Sequence, residues 1–314
     1  MNIFKILEKC EYKGLKFDVE LEYYYDDLIN EYYVDNKLGN ENLRKIRNEY
    51  RRLNNLLLDD EIKEIRNQYN LSQRDFSIAL GFGEVTITRY ESKTVQDKSQ
   101  DEIIRQSKNP NYFLELLKNN KNKFIEVNGL IKYNELYETV ISLTKDINIL
   151  INLFDVKDRG NSKFILDKLN AVISKIKENR TILTKTVLAK LLWYIDSLSF
   201  KLTNNSMTGL VYKSMPYGAY PELYDQILNN DNIKIELSWI KDYECYLIDE
   251  VNSNFELTKE EEKIIYFIVN KFKDFNAKQI VNYMHQEKAY QETDLFDIIS
   301  YDYALDIELF DDYK

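Results

Sequence analysis

Two cysteines and one histidine in 314 residues leave little material for metal or redox chemistry. Cys10 and Cys245 are too few for a disulfide framework or a cysteine-rich zinc site, and a cytoplasmic compartment is the simplest reading. His285 is the single histidine, so any acid–base or metal scheme must pass through it. There it has two readings: a proton shuttle with the nearby Glu287, or a ring whose nitrogens satisfy neighbouring backbone groups. Glycine-rich phosphate loops, nucleophile elbows and histidine-rich metal motifs are missing, so no catalytic residue, metal or cofactor is expected. No apolar run approaches the roughly 18 residues of a membrane span, and the first thirty residues lack the apolar core of a secretion signal. Glycine and proline are scarce, at 8 and 3, which points to well-formed elements joined by short links.

What is abundant is charge and tyrosine. A net charge of −10 argues against a general nucleic-acid coat, yet Glu41 to Lys108 holds 13 Lys and Arg against 12 Asp and Glu. Any contact with DNA must therefore be local and salt-sensitive. The length suits two or three domains.

Residues 59 to 92 carry the most specific pattern. Ile62, Ile65 and Tyr69, then Phe76, Ala79 and Leu80, then Ile87 and Tyr90 fall at helical intervals, which predicts three short helices closing on one core. Asp59 or Asp60 caps the first helix, and Ser72 with Asp75 makes a capping-box variant for the second. Gly81 ends that helix in a left-handed turn, and Gly83 frees the backbone before the third. This is the spacing of a helix-turn-helix DNA reader, although an ordinary three-helix cluster has the same periodicity. If the third helix reads the major groove, Glu84, Val85, Thr86, Thr88 and Arg89 face it, with Arg89 suited to paired acceptors on guanine or to a phosphate. Gln73 is placed for a phosphate, and Arg51, Arg52, Ser72, Lys93 and Lys98 are further phosphate candidates.

Elsewhere the pattern is coarser. Phe17, Val19, Leu21 and Tyr23 alternate, Asp26-Asp27 reads as a turn and Leu28 to Val34 as a return strand, giving a small β-hairpin. A basic helix follows at residues 41–56, either phosphate-contacting or simply solvated. Residues 109–120 read as a short helix and Phe124 to Ile131 as a strand or loop broken at Gly129. Tyr133, Leu136, Tyr137, Val140, Leu143, Ile147, Leu150, Ile151 and Phe154 repeat at three and four, as a dimer seam or as a long helix packed on its neighbour. A break at Asp158 to Ser162 precedes a helix from Lys163 to Asn179, and Lys185 to Phe200 is apolar enough to be buried on more than one side. The tail from Asp294 to Lys314 has seven acids against one lysine, among apolar residues that either pack or offer a partner-binding strip.

Two stretches resemble known families. Leu71-Ser72-Gln73, Gly81 and Thr86-Ile87-Thr88-Arg89-Tyr90-Glu91 resemble the Xre/Cro-like helix-turn-helix, and GFGEVTITRYES resembles antitoxins of the MqsA type. That resemblance implies operator contact by Arg89 and, with it, by Val85, Thr86 and Thr88. MqsA-like proteins often carry a paired-cysteine zinc ribbon ahead of this region; one cysteine stands here, so metal binding does not carry over. KLLWYIDSLSF, the Thr208-Gly209 step, Pro216-Tyr217-Gly218-Ala219-Tyr220-Pro221-Glu222-Leu223-Tyr224 and the late His285 with Tyr290 resemble the Panacea, or SocA-like, domain, with Ala219 and Tyr290 departing from its usual proline and tryptophan. The resemblance implies a toxin-neutralising, protein-binding module, for which Tyr212, Tyr217, Tyr220 and Tyr224 are candidate contacts.

The expected fold is mainly α: a hairpin with a basic helix (1–56), a helix-turn-helix domain (57–108), a helical linker suited to dimerisation (109–183), and a helical α+β Panacea-like domain (184–314). The expected function is a sequence-specific repressor that binds a double-stranded DNA operator and a protein partner, as a homodimer or higher homo-oligomer. An antitoxin autoregulating its operon leads. A master repressor of a phage or pathogenicity island, relieved by an inducer protein, stands beside it, and an antitoxin that only clamps its toxin is the third reading.

Overall fold

The structure is a computed structural model that describes residues 3–240 and 243–313. It is mainly helical with three small antiparallel sheets, and it divides into two compact units, Met1–Lys145 and Asp146–Lys314.

The first unit opens with strands β1 (Ile3–Tyr12), β2 (Leu15–Asp26) and β3 (Glu31–Tyr33), in that order in the sheet. Tyr12 pairs with Leu15 across a two-residue turn in which Lys13 and Gly14 both have positive φ, +47° and +80°, as a tight hairpin of right-twisted strands requires. The main hairpin thus lies upstream of the expected one, and the return strand shrinks to three residues. The first strand is hard to read because Glu8 stands opposite the buried Val19, breaking its apolar alternation. Helix α1 (Asn36–Leu53) docks on β2 through Asn42, whose amide accepts from the Glu22 N–H at 2.9 Å and donates to its carbonyl at 2.7 Å.

Helices α2 (Asp59–Gln68), α3 (Gln73–Ala79), α4 (Thr86–Ser92) and α5 (Lys98–Gln106) follow, then α6 (Pro110–Asn119), α7 (Lys121–Asn128) and α8 (Leu130–Leu143). All but α1 share one core. Ile62, Phe76, Ile87 and Ile104 are fully buried together with Phe113, Leu117, Phe124 and Val140. Tyr69 stacks on Phe113 at 3.8 Å between centroids and donates its hydroxyl to the Ser107 carbonyl at 2.6 Å. The expected boundary at 108 is therefore corrected: helices from the supposed linker complete the three-helix cluster, which is too small to bury its own apolar stripes. Phe124 to Asn128 is helical, not a strand or loop, and Gly129, at φ +85°, breaks the chain as anticipated. The apolar repeat from Tyr133 is not one long helix either. It stops at Leu143, and Asp146 caps a separate helix by accepting from the Asn148 N–H at 2.8 Å. Tyr133, Leu136 and Val140 face the unit's own core, which removes them from any dimer seam.

The second unit is built around α11 (Lys185–Thr203), in which every residue from Val187 to Phe200 is buried. Around it lie α9 (Ile147–Asn152), α10 (Leu166–Glu178), the hairpin β4 (Tyr212–Met215) and β5 (Gly218–Pro221), α12 (Tyr224–Leu228), the ribbon β6 (Ile233–Ile240) and β7 (Tyr243–Val251), then α13 (Lys259–Lys271), α14 (Ala277–Met284), α15 (Lys288–Gln291) and two 3₁₀ turns. Residues expected to be linker, such as Leu169, Val172 and Ile176, belong to this core. The acidic tail packs its apolar side: Ile299, Tyr301, Ala304, Ile307 and Phe310 are buried, and Tyr301 donates to the Leu210 carbonyl at 2.8 Å. Lys314 lies outside the described residues. Among the described residues no helix is long and apolar enough to cross a membrane.

Candidate nucleic-acid interface

The chain between α3 and α4 turns within six residues, and each step has a local cause. Ser72 caps α3 by accepting from the Asp75 N–H at 3.1 Å and donates its own hydroxyl to the Asp75 carboxylate at 2.6 Å. Gly81 ends the turn at φ +81°, where a β-carbon would meet the Asn120 side chain at 3.0 Å. Gly83 keeps a φ outside the left-handed range, so the freedom expected of it is not used. Val85 provides no side-chain cap for α4. The fully buried Ser77 takes that role from α3, its oxygen accepting the Ile87 N–H at 3.0 Å.

Polar bonds then fix the azimuth of α4. Arg66 on α2 grips Glu91 with Nε to Oε1 at 2.7 Å and Nη2 to Oε2 at 3.0 Å, both side chains nearly buried. Gln73 donates to the same Oε2 at 2.8 Å, so it serves the frame of α4 instead of standing free for a phosphate. Asp75 is bonded by Lys132 from α8 at 2.7 Å; burial pushes its carboxyl up, but the bonds from Lys132 and Ser72 outweigh this and hold it below the usual range. None of Ser77, Arg66, Glu91 or Lys132 was legible as a positioning residue, because each acts across a contact that periodicity does not encode.

What remains outward is a short list. Val85 is exposed, Thr86 half-buried, and Thr88 and Arg89 exposed. Glu84 is exposed but engaged, accepting from Arg74 Nε at 2.8 Å. Lys93 and Lys98 are exposed; Arg52 is exposed and paired with Glu49 at 3.0 Å. Arg51 is corrected: at 1 % exposure it cannot reach a phosphate. Its guanidinium donates to Asn48 at 2.8 Å, Gln96 at 3.1 Å and the carbonyls of Tyr90 and Thr94 at 2.5 and 3.0 Å, stitching α1 to the end of α4. Ser72 is likewise occupied with its cap. Of the eight arginines from Arg44 to Arg105, all described, only Arg89 has a side chain with no hydrogen bond or ion pair to a described residue.

In the second unit, Tyr212 and Tyr224 are corrected from partner contacts to core: both are buried, Tyr212 donating to Asp196 at 2.7 Å and Tyr224 to the Lys185 carbonyl at 3.0 Å. Tyr220 is half-buried and Tyr217 is 71 % exposed. Fully buried Asp196 accepts from the Thr208 N–H at 2.7 Å, its hydroxyl at 2.5 Å, and Tyr212; burial outweighs these bonds and pushes its carboxyl up to about 6. Lys190, also buried, donates to the Ala219 carbonyl at 2.9 Å, and burial lowers its ammonium to about 7. His285 stacks on Tyr290 at 4.2 Å with Nε2 buried and unbonded, while Glu287 is bonded by Tyr194 at 3.4 Å, an arrangement that does not link the two as a relay. The unit's conspicuous apolar surface was missed in the sequence. Leu237 and Tyr246 pair across the β6–β7 ribbon and Trp239 lies two residues on, 67 % exposed, continuing the face that begins with buried Ile248. Among the described residues, no group of three or more His, Cys, Asp or Glu side chains is placed to hold a metal ion.

Comparison with known proteins gives one finding. Residues 188–291, about a third of the chain, match the family described as antitoxin SocA-like, Panacea domain, which points to a toxin–antitoxin-related role and a protein partner. No curated protein and no solved structure matches the chain.

Proposed function

We propose that this chain is a sequence-specific DNA-binding repressor without catalytic activity, whose C-terminal module binds a cognate toxin, so that it acts as an antitoxin controlling its own operon. The observation that carries the DNA reading is Arg89. The guanidinium groups of Arg44, Arg47, Arg51, Arg66 and Arg105 are bonded within the first unit and those of Arg52 and Arg74 to neighbouring carboxylates, whereas the Arg89 side chain stands unbonded with Thr88 and Val85 on a short helix whose orientation is fixed at both ends. A free bidentate donor, a hydroxyl and an apolar contact on one rigid face are what base-edge recognition needs.

Two copies would set two such helices in successive major grooves roughly 34 Å apart, so the operator is a palindrome or repeat. On the protein side, the Panacea match supports a toxin as partner, and the exposed Trp239 and Tyr246 supply aromatic anchors of the kind that dominate interfaces, beside the exposed Leu237. Titration of the chain's own promoter against a scrambled duplex tests the reading. Wild type should prefer the promoter, and Arg89→Ala should lose roughly 1–3 kcal/mol of that preference. Equal affinity of both proteins for both duplexes refutes it.

A further inference from the structure

Bonds on the inner side of the turn lock α3 to α4, but one polar link crosses on the outer side. Arg74, the second residue of α3, reaches Glu84, two residues ahead of α4, with Nε to Oε2 at 2.8 Å and side chains 55 % and 47 % exposed. Nothing in the fold requires this pair. Both groups are solvated, and neither is bonded to any other described residue. Glu84 directly precedes the exposed Val85 at the entry to α4, the helix that carries the unpaired Arg89 side chain.

We propose that the Arg74–Glu84 pair is a discrimination latch, which neutralises the outer edge of the reading face on non-cognate DNA and opens only where a cytosine amino group lies opposite residue 84. This rests on the DNA reading above. A carboxylate has acceptors alone, so Glu84 is repelled by backbone phosphates and fits best the base edge whose amino donor has no acceptor beside it, that of cytosine; adenine's amino group is flanked by its N7 acceptor, which repels a carboxylate. Arg74 has five donors and gives one to Glu84; released, it matches a phosphate in fork geometry. While the pair is closed, its charges cancel and this corner adds nothing to sequence-independent attraction. Opening replaces one contact with two, Glu84 to base and Arg74 to backbone.

The magnitudes permit such an exchange. A solvated ion pair biases an equilibrium by roughly fivefold at most, whereas a good base contact is worth roughly five- to 150-fold. The latch is thus weak enough to open on the right base and strong enough to stay shut elsewhere. A buried pair such as Arg66–Glu91 could not serve.

Binding of wild type, Glu84→Gln, Arg74→Gln and the double variant to the promoter duplex and to a scrambled duplex, over a range of salt, tests the proposal. Glu84→Gln should bind the scrambled duplex about fivefold tighter. It should also steepen the dependence of log K on log salt by about 0.9 per reader, about 1.8 for a dimer, the signature of one added phosphate contact on each. Adding Arg74→Gln should return both to wild-type values. The promoter-to-scrambled ratio should fall at least about tenfold in Glu84→Gln. If the tightening persists without Arg74, or the slope does not change while the promoter preference survives, the latch is overturned and the DNA reading stands. If wild type binds both duplexes equally, both are overturned.

Discussion

Glu91 is the residue on which the position of α4 turns, and the cost of removing its charge follows from its surroundings. Its carboxylate accepts three bonds, two from Arg66 and one from Gln73, and its side chain is 6 % exposed against 12 % for Arg66. In Glu91→Gln the guanidinium loses its counter-charge and keeps the Leu71 carbonyl, at 2.7 Å, as its fixed acceptor. Stranding one half of a buried pair costs about 3–5 kcal/mol, and the residual solvent access of Arg66 puts this case near the lower figure, about 3 kcal/mol. That is a large share of the roughly 5–15 kcal/mol that holds a domain together. Because the chain has two compact units, a single melting midpoint would mix their transitions, and amide exchange followed peptide by peptide is the suitable assay. Protection across residues 59–92 should fall roughly hundredfold in Glu91→Gln, while residues 188–203 keep theirs. Replacing both partners, Arg66→Met with Glu91→Leu, should recover most of the lost stability, since well-packed apolar pairs commonly equal or exceed a buried ion pair. DNA preference should not recover with it, because Gln73 has then lost its acceptor on α4. Unchanged protection in Glu91→Gln would refute the argument, as would a double variant no better than the single one.

Three further outcomes concern the second unit. The Asp196 carboxyl is raised to about 6 by burial, so its favourable contribution is complete below about pH 4 and is lost as pH rises through 6. The wild-type minus Asp196→Asn stability difference should therefore fall by about 3 kcal/mol across that interval in denaturant titrations at stepped pH, and a flat difference would contradict it. For Lys190 the ammonium is depressed to about 7, so stability present above pH 10.5 is lost as pH drops towards 7; Lys190→Met should abolish this slope and gain about 5 kcal/mol at pH 6, less about 1 for the lost bond to Ala219. Gly209 sits at φ +74° with Phe164 N only 2.7 Å from where a β-carbon would stand, so Gly209→Ala should cost about 3 kcal/mol in the same titrations.

How much of this was legible in the sequence depends on the range over which each residue acts. Ser72, Gly81 and the apolar positions from Ile62 to Ile87 declare themselves within a turn or two, and the three helices lie where that spacing sets them. The mainly helical class followed from the same local signals. Charge runs were the weak point. Arg51 and Arg52 are adjacent in one basic stretch, yet one is buried under four acceptors and the other is solvated, because only the tertiary position of Gln96 and of the α4 carbonyls decides. Tyrosine misled in the same way: Tyr212 and Tyr217 look equivalent in a turn-rich link, and Asp196, sixteen residues upstream, claims the first. The heptad-like repeat from Tyr133 is real as a pattern, but it is split by Thr144 to Asp146 and spent on two separate cores.

Under the proposed DNA reading, the charges around α4 set the expected salt dependence. Were the 13 basic residues between Glu41 and Lys108 free to meet phosphates, a dimer would lose affinity with salt as steeply as a strongly basic repressor. Eight are not free: Arg44 is bonded to Asp59, Lys45 to Glu22, Arg47 to the Ser92 carbonyl, Arg52 to Glu49, Arg66 to Glu91, Arg74 to Glu84 and Arg105 to Asp101, and Arg51 is enclosed. With Arg89, Lys93 and Lys98 available on each reader, the slope of log K on log salt for a dimer should be about −5 on non-cognate DNA, where Arg74 stays paired, and about −7 where it is released, at roughly 0.9 per phosphate. A slope near −10 would mean that the internal pairs open wholesale on DNA. With so small an electrostatic term, the proposed operator binding would draw its affinity from base contacts, and a chain of net charge −10 should show little binding to other sequences.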